Sequence, residues 1–597
     1  MKVKKVAAAF TAAAVLAAAA PMTGALPDVM SVSVGAESFA QYKVGDVFYA
    51  AFDGEKWFTD YTDKPGAVSD ISWVCTVLED NTISVHYISS AASHSPDFVP
   101  SQIAGYTVTA IDSGAYWTGT VTIPDTVISI GDSAFADCDE LEEVKFGTNS
   151  QLKLIDQWAF QNCRSLKSIT IPASVETIAY GAFSNINYDG FDSDKYSLES
   201  VIFADGSKLK AIGEGAFQYQ EALKSITLPD SLSAIGKAAF VSCYNLEEVN
   251  FGANSQLKLI DEHAFENCRS LKSITIPASV ETIALGAFMN VNNDNFDYDN
   301  FDSDIYSLES VIFAEGSKLK TIEDGAFYNC INLKEITIPA NVSEIGAIVF
   351  SCSVDLITSG KTMNISNIDV DPNNQSFKSE DGVLFSKDGK TVVAYPGGKN
   401  DSEYEIPLSV NNIIMASFET SPKLTAVTIP EGVTEIPDNT FSYCTSLSEL
   451  KLPNTLKAIG KWAFEATKLT SVDIPESVTS IDKQAFEGST LNNINGVEGS
   501  YAETYAKENG YTFNNVSFDN SSASDTNTLT DNSDNKADET IVTTDAAETA
   551  ETAETAAAVG STDGTDDDKN VSTGAALSVV PVLLSVCALA VSCKKKK

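Results

Sequence analysis

The sequence predicts a mainly β protein of α/β repeat type, a solenoid of ~23-residue repeats stacked through a parallel sheet and capped at both ends. Three observations predict it. A Phe, usually preceded by Ala, recurs at positions 135, 160, 183, 217, 240, 265, 288, 327, 350, 418, 441, 464 and 486, with spacings mostly of 22 to 25 and longer steps of 34, 39 and 68. After most of these Phe comes a short apolar alternation that often ends in Pro, as in Leu166-Lys-Ser-Ile169-Thr-Ile171-Pro172 and Leu447-Ser-Glu-Leu450-Lys-Leu452-Pro453. The segment Asn149–Asp156 also recurs letter for letter as Asn254–Asp261. A fixed period of this length overrides the roughly four domains that 597 residues would otherwise suggest.

The strand is the first element to justify. Units beginning at Leu141, Leu166, Leu198, Leu223, Leu246, Leu271, Leu308, Leu333, Leu424, Leu447 and Leu469 alternate apolar and polar residues, the pattern of a strand with one buried face. Pro stops it, because it has no N–H for the ladder. One such strand cannot bury its apolar face alone, so the eleven stack into one column, about 50 Å long at ~4.8 Å per rung. The open ends of such a stack require caps.

The ends of the chain read differently. Residues 1–36 open with Lys2, Lys4 and Lys5 and continue as an Ala-rich apolar run, the pattern of a secretory signal peptide, with cleavage after Ala25 or Ala36. Residues 518–569 are rich in Ser, Thr, Ala and Asp and lack aromatic residues after Phe518, which composition makes an extended acidic stalk. Residues 570–597 hold an apolar stretch, Ala575–Cys593, long enough to cross a hydrocarbon core of about 30 Å, followed by four lysines that favour the cytoplasmic side.

Composition excludes some functions. The 82 acidic residues against 39 basic ones, a formal net charge of −43, rule out a basic nucleic-acid footprint. The 30 Phe and 20 Tyr exclude a wholly disordered chain.

Together the Ile-Gly-x-x-Ala-Phe and Leu-x-x-Ile-x-Ile patterns resemble the leucine-rich repeat family, in its BspA-like subclass of bacterial surface proteins. The resemblance covers residues 37–517. It implies an N-terminal cap region at 37–110, a repeat solenoid at 111–352, a hairpin insert at 353–407, and further repeats with a C-terminal cap at 408–517. Asp381-Gly-Val-Leu-Phe385 and the turn Lys387-Asp388-Gly389-Lys390 look like the subclass's hairpin; Gly499-Ser-Tyr501-Ala-Glu-Thr-Tyr505 looks like its terminal cap. Thr573-Gly574 before the apolar stretch resembles the sorting signal that sortases cleave between those two residues, with Asn570-Val571 in place of the usual leucine-proline opening. A simple membrane anchor is the alternative. Either way the protein is expected at the cell exterior, attached to wall or membrane.

Candidate chemistry dissolves when placed on the repeat. Cys138, Cys163, Cys243, Cys268, Cys330 and Cys444 each stand three residues after a repeat Phe, and Cys352 two after, as small apolar fillers of one core column. Disulfides between adjacent rungs and metal binding are the alternatives. Among three histidines, His263 takes the slot that Trp158 fills in the duplicate, an exposed variable position on this reading, while His86 and His94 lie toward the N-terminal end without a partner pattern. Thr358-Ser-Gly-Lys361-Thr resembles the end of a P-loop but has Asp355 where its first Gly belongs. No enzyme and no cofactor are expected.

Two features are left for binding. The loops that lengthen two repeats carry Asp189, Asp192 and Asp194, then Asp294, Asp297, Asp299, Asp302 and Asp304. Of these, Asp297, Asp299, Asp302 and Asp304 have a spacing compatible with calcium, although Phe301 breaks the EF-hand template. The outward strand column, with Thr170, Ile202, Thr227, Thr275, Ile312 and Thr337, is the expected ligand face: Thr suits a strand by propensity alone, whereas the two Ile are apolar where polar residues are usual. The resemblance implies adhesion to host or neighbouring-cell macromolecules, with an extracellular protein or glycan as partner and sortase at the C-terminus. Polysaccharide or mucin binding is the alternative, for which Trp158 and Trp462 are the only repeat-borne platforms; a surface enzyme is the third reading.

Overall fold

In the computed structural model the described residues are 42–52, 57–59, 72–88, 96–112, 116–185, 198–291, 308–353, 356, 361 and 363–516. The chain divides into two units, residues 1–520 and 521–597, and every described residue lies in the first. The signal segment, the stalk, Thr573-Gly574 and the apolar C-terminal stretch lie outside the described residues, as do His94, the Asp189–Asp194 and Asp294–Asp304 loops and most of the P-loop-like segment. No described helix is long and apolar enough to cross a membrane.

Each repeat makes one turn with three sides, and each side is bonded to its neighbours differently. The first side is a two-residue strand ending in Ile, at Ser129–Ile130, Leu154–Ile155, Thr177–Ile178, Ala211–Ile212, Ala234–Ile235, Leu259–Ile260, Thr282–Ile283, Thr321–Ile322 and Glu344–Ile345. These pair in parallel, one after the next, within a 15-stranded sheet that reaches back to the antiparallel strands Val47–Phe52, Ser72–Val77 and Ile83–Ile88. The second side is the Ala-Phe turn. Its backbone is tied across repeats, with the Phe135, Phe160 and Phe183 amides donating to the Ala159, Ala182 and Ala216 carbonyls at 2.7–2.8 Å.

The Phe rings fill the interior. From Phe135 to Phe327 they form an unbroken column of parallel rings, with centroids 5.0–5.5 Å apart and planes within 7°. Each ring buries its area against two others in the offset stack that aromatic quadrupoles favour. The column loosens to 6.2 Å at Phe350 and restarts with Tyr395 against Phe418. Two apolar cores correspond, divided near the hairpin.

The third side, the longer strand, departs from the expected single column. Gly119–Ile123 pairs with Leu141–Phe146, Ser168–Ile171 with Ser200–Phe203, Ser225–Leu228 with Glu248–Phe251, and Ser273–Ile276 with Ser310–Phe313, each pair a separate two-stranded sheet. Each of these four pairs joins a unit ending in Pro to a following unit ending in Phe. At the end of two of these ladders the Ala204 and Ala314 amides donate to the Ile171 and Ile276 carbonyls at 3.0 Å. Between a Phe-ended strand and the next Pro-ended one there is no ladder. Pro172 and Pro277 stand where those amides would be and have nothing to donate. Phe203, Phe251 and Phe313 are also only half-buried, where Ile171, Leu228 and Ile276 are fully inside.

Beyond the break, Phe377–Glu380, Val383–Ser386 and Thr391–Ala394 run antiparallel, and the last pairs in parallel with Asn412–Ile413 to restart the solenoid. The far end closes with the helix Tyr501–Asn509, ended by Gly510 in the left-handed region (φ 80°), and the strand Thr512–Asn515 laid along Asn493–Gly496.

Candidate functional site

The strand face follows from period-2 geometry. Ile169 and Ile171 point inward, so Thr170 between them must point out. The same holds for Ile202, Thr227, Thr275, Ile312 and Thr337, all exposed. Ile202 and Ile312 are 52% and 53% exposed, so each leaves half a butyl side chain in water on a rigid element. Pairing sets Thr170 directly across from Ile202, and Thr275 across from Ile312. Thr227 faces Asn250, and Thr337 faces Asp369. The two Thr–Ile couples are therefore the same site twice, carried by the internal duplication.

Beside this column runs a charge pattern that the sequence reading missed. The residue after each leading Leu reads Glu142, Lys167, Glu199, Lys224, Glu247, Lys272, Glu309 and Lys334, strictly alternating over eight rungs and exposed throughout. Pro-ended units carry the Lys and their following partners the Glu. Two pairs are close, Lys167–Glu199 at 3.7 Å and Lys334–Glu309 at 3.9 Å, with both side chains largely exposed, so each contributes little stability. The pattern instead cancels charge along the face of a chain that is otherwise strongly acidic. Reading the units in pairs rather than singly would have exposed it.

Other predicted residues land elsewhere. His263 is a correction: it is 3% exposed, with Nδ1 2.8 Å from Glu266 and Nε2 3.4 Å from Glu262. It lies over Gly286, whose absent Cβ leaves the space for the imidazole. Trp462 is likewise inside, 6% exposed, donating from Nε1 to Glu487 at 2.8 Å, so it offers no platform. Trp158 is half-buried, edge-on to Tyr180 at 5.5 Å. His86 is half-buried, and burial lowers its pKa against the opposing pull of Asp112.

The cysteines of the column are buried free thiols with a stated job. Cys163, Cys243, Cys268, Cys330 and Cys444 donate from Sγ to the Phe carbonyl of the preceding repeat, at 3.1–3.3 Å. Cys75, in the antiparallel N-terminal strands, is a further buried free thiol. Burial pushes Cys243 and Cys444 up to about 12, which keeps both thiols protonated at neutral pH. Among the described residues no group of three or more His, Cys, Asp or Glu is placed to hold a metal.

A ring-filled solenoid whose repeats stack through parallel strand ladders defines a protein of the leucine-rich repeat class. Residues 117–192, 185–320, 298–380 and 397–493 match the BspA type leucine-rich repeat region, and the chain belongs to that family. Among solved structures, a leucine-rich cell surface protein of Faecalibacterium prausnitzii is 23% identical over 77% of this chain and 97% of its own, with a TM-score of 0.39. A leucine-rich repeat protein of Bacteroides ovatus is 20% identical over 76% of this chain and 100% of its own, with a TM-score of 0.43. The pneumococcal vaccine antigen PcpA is 18% identical over 80% and 100%, with a TM-score of 0.32. No curated protein matches the chain.

Proposed function

We propose that the chain is a secreted adhesin, displayed outside the cell and binding macromolecules through its strand face without catalysing a reaction. The observation that carries this reading is the pair of half-exposed isoleucines, Ile202 and Ile312, each set opposite a Thr on a stiff ladder. Apolar side chains held out on a repeat scaffold are suited to anchor an extracellular protein or glycan. The alternating Glu and Lys beside them keep the face open to neutral or mixed-charge partners. The signal-like start and the Thr573-Gly574 segment support export followed by sortase attachment to the wall, with retention in the membrane as the other outcome.

The test is adhesion of cells bearing the full chain to an array of matrix proteins and mucins, against cells carrying Ile202→Lys and Ile312→Lys together. Adhesion lost in the double variant, with surface display unchanged, supports the reading. Adhesion that survives it removes the strand face from the mechanism. Mass spectrometry of wall fragments ending at Thr573 separates sortase attachment from a retained anchor. Mucin or polysaccharide binding on aromatic platforms has weaker support, because Trp462 is buried. Calcium at Asp297, Asp299, Asp302 and Asp304 stays a separate question, answered by titrating the metal-free chain.

A further inference from the structure

The break in the ring column leaves a second feature, unrelated to the strand face. The strand Asn367–Val370, the hairpin strand Phe377–Glu380 and the turn at Asp381–Gly382 border an open cleft of about 590 Å³. That volume lies within the ~300–1,000 Å³ of ordinary ligand sites, but its lining is mostly polar where such sites are mostly apolar.

The cleft is built on a constrained turn. Asp381 holds φ at +51° and Gly382 at +76°. Gly suits position 382 because its φ is left-handed and an added Cβ would stand 3.3 Å from the Asn367 Cα and 2.6 Å from its side-chain oxygen. The Ile368 amide donates to the Gly382 carbonyl at 2.9 Å and ties the turn to the strand. Beside it Lys399, its side chain 11% exposed, is clamped between Asp381 at 2.7 Å and Asp401 at 2.8 Å. The doubly held Lys399 in turn fixes Asp381, a left-handed non-Gly residue of the kind that accompanies pre-formed sites.

The remaining groups say what such a site would take. Asp369, Asp371 and Lys387 line the cleft and make no ion pair among the described residues; Asn367 donates from Nδ2 to Asp369 at 2.7 Å, orienting that carboxylate. Fixed acceptors beside an ammonium donor match hydroxyl groups, each of which donates and accepts. Val370 and the exposed Pro372 supply apolar surface for the C–H face of a sugar ring. Anions are disfavoured: Lys378 and Lys399 are already neutralised by Glu380, Asp381 and Asp401, which leaves more free carboxylate than free ammonium. From this we infer that the cleft binds a neutral saccharide, recognised through Asp369, Asp371 and Lys387.

The test titrates the full chain with neutral trisaccharides (maltotriose, cellotriose, xylotriose, mannotriose and triacetylchitotriose), and with sialyllactose, inorganic phosphate and calcium, followed by saturation-transfer NMR and calorimetry. A neutral trisaccharide is expected to bind, and Asp369→Asn and Lys387→Ala are each expected to weaken it roughly tenfold, the loss of one charge-assisted hydrogen bond. Circular dichroism checks that both variants fold. Asp369→Asn is expected to weaken saccharide binding while cells bearing it still adhere, so failure of the strand-face reading and failure of this one are separate results. The inference is overturned if no neutral trisaccharide binds at millimolar concentration, if only sialyllactose, phosphate or calcium binds, or if binding is indifferent to both cleft variants.

Discussion

Replacing Phe240 by Ala removes a ring from the middle of the continuous column. Phe240 is fully buried, with Phe217 parallel on one face at 5.3 Å and Phe265 on the other at 5.2 Å. Truncating a buried Phe costs about 3–5 kcal/mol. Each stacked pair carries about 0.5–1.5 kcal/mol beyond area burial, so a residue stacked on both faces belongs near the top of that range. Phe350 provides the internal control, being 7% exposed with its stacked neighbour Phe327 at 6.2 Å, and its truncation belongs near the bottom. In a quasi-one-dimensional stack the damage falls on adjacent interfaces rather than on the whole molecule. Urea unfolding reports the size of the loss and hydrogen exchange its location. Phe240→Ala is expected to lower the midpoint more than Phe350→Ala, and to release the amides of Phe217 and Phe240, which donate to Ala239 and Ala264. Equal losses in the two variants, or protection lost evenly along the chain, would refute the argument that ring contacts hold the rungs.

Other predictions follow from single groups. Glu419 accepts from Ser351 at the junction near the hairpin, and burial, helped by the charge of Glu465, raises its pKa from 4.5 to about 8. The folded carboxyl thus keeps its proton where the unfolded one has lost it, so its contribution is fully present below about 4.5 and disappears as pH rises through about 8. Glu419→Gln is expected to stabilise the chain at pH 8, leave it unchanged at pH 4 and flatten the slope between, in thermal melts across that range. The thiols of Cys243 and Cys444, pushed up to about 12, are expected to resist disulfide reagents at pH 8 in the native chain and to react at once in urea; rapid native labelling would contradict their burial. Ile202→Lys, an exposed change, is expected to shift stability by less than about 0.5 kcal/mol, so any loss of adhesion it causes is a loss of contact.

The repeat was legible because its signals are local and redundant. A Phe at fixed spacing, a Leu-led alternation and a terminal Pro all specify the same turn, and each repeat restates them. What stayed hidden depends on neighbours along the stack. His263 looked exposed because Trp158 shares its slot, yet the slot takes a left-handed backbone (φ 52° and 57°) and lies over a Gly in the next repeat, Gly181 or Gly286, that admits a side chain. The charge stripe was hidden because no single repeat contains it. The saccharide cleft depends on how the hairpin folds back on Asn367–Val370, which the spacing of Asp381 and Lys399 does not reveal.

The paired ladders show how far a two-repeat unit shapes the molecule, and which residue breaks the pairing. Pro alone is an insufficient cause. In the second half Ala426–Thr428 and Glu449–Lys451 each precede an apolar residue and a Pro, yet they still pair with each other, and Ala426–Thr428 pairs with Glu403–Glu405 as well. The first-half breaks fall instead after half-buried Phe residues, Phe146, Phe203 and Phe251, whose rings take more room at the rim than the fully buried Ile or Leu of the Pro-ended units. Replacing Phe251 by Ile should let Ser273–Ile276 approach Glu248–Phe251. By the register of the closed pairs, the amides of Ser273 and Thr275 would then gain bonded carbonyls, while Pro277 would still contribute none. Hydrogen exchange resolved at those two amides decides the matter. Slower exchange in Phe251→Ile assigns the break to the ring, whereas unchanged exchange assigns it to the Pro-ended strand itself.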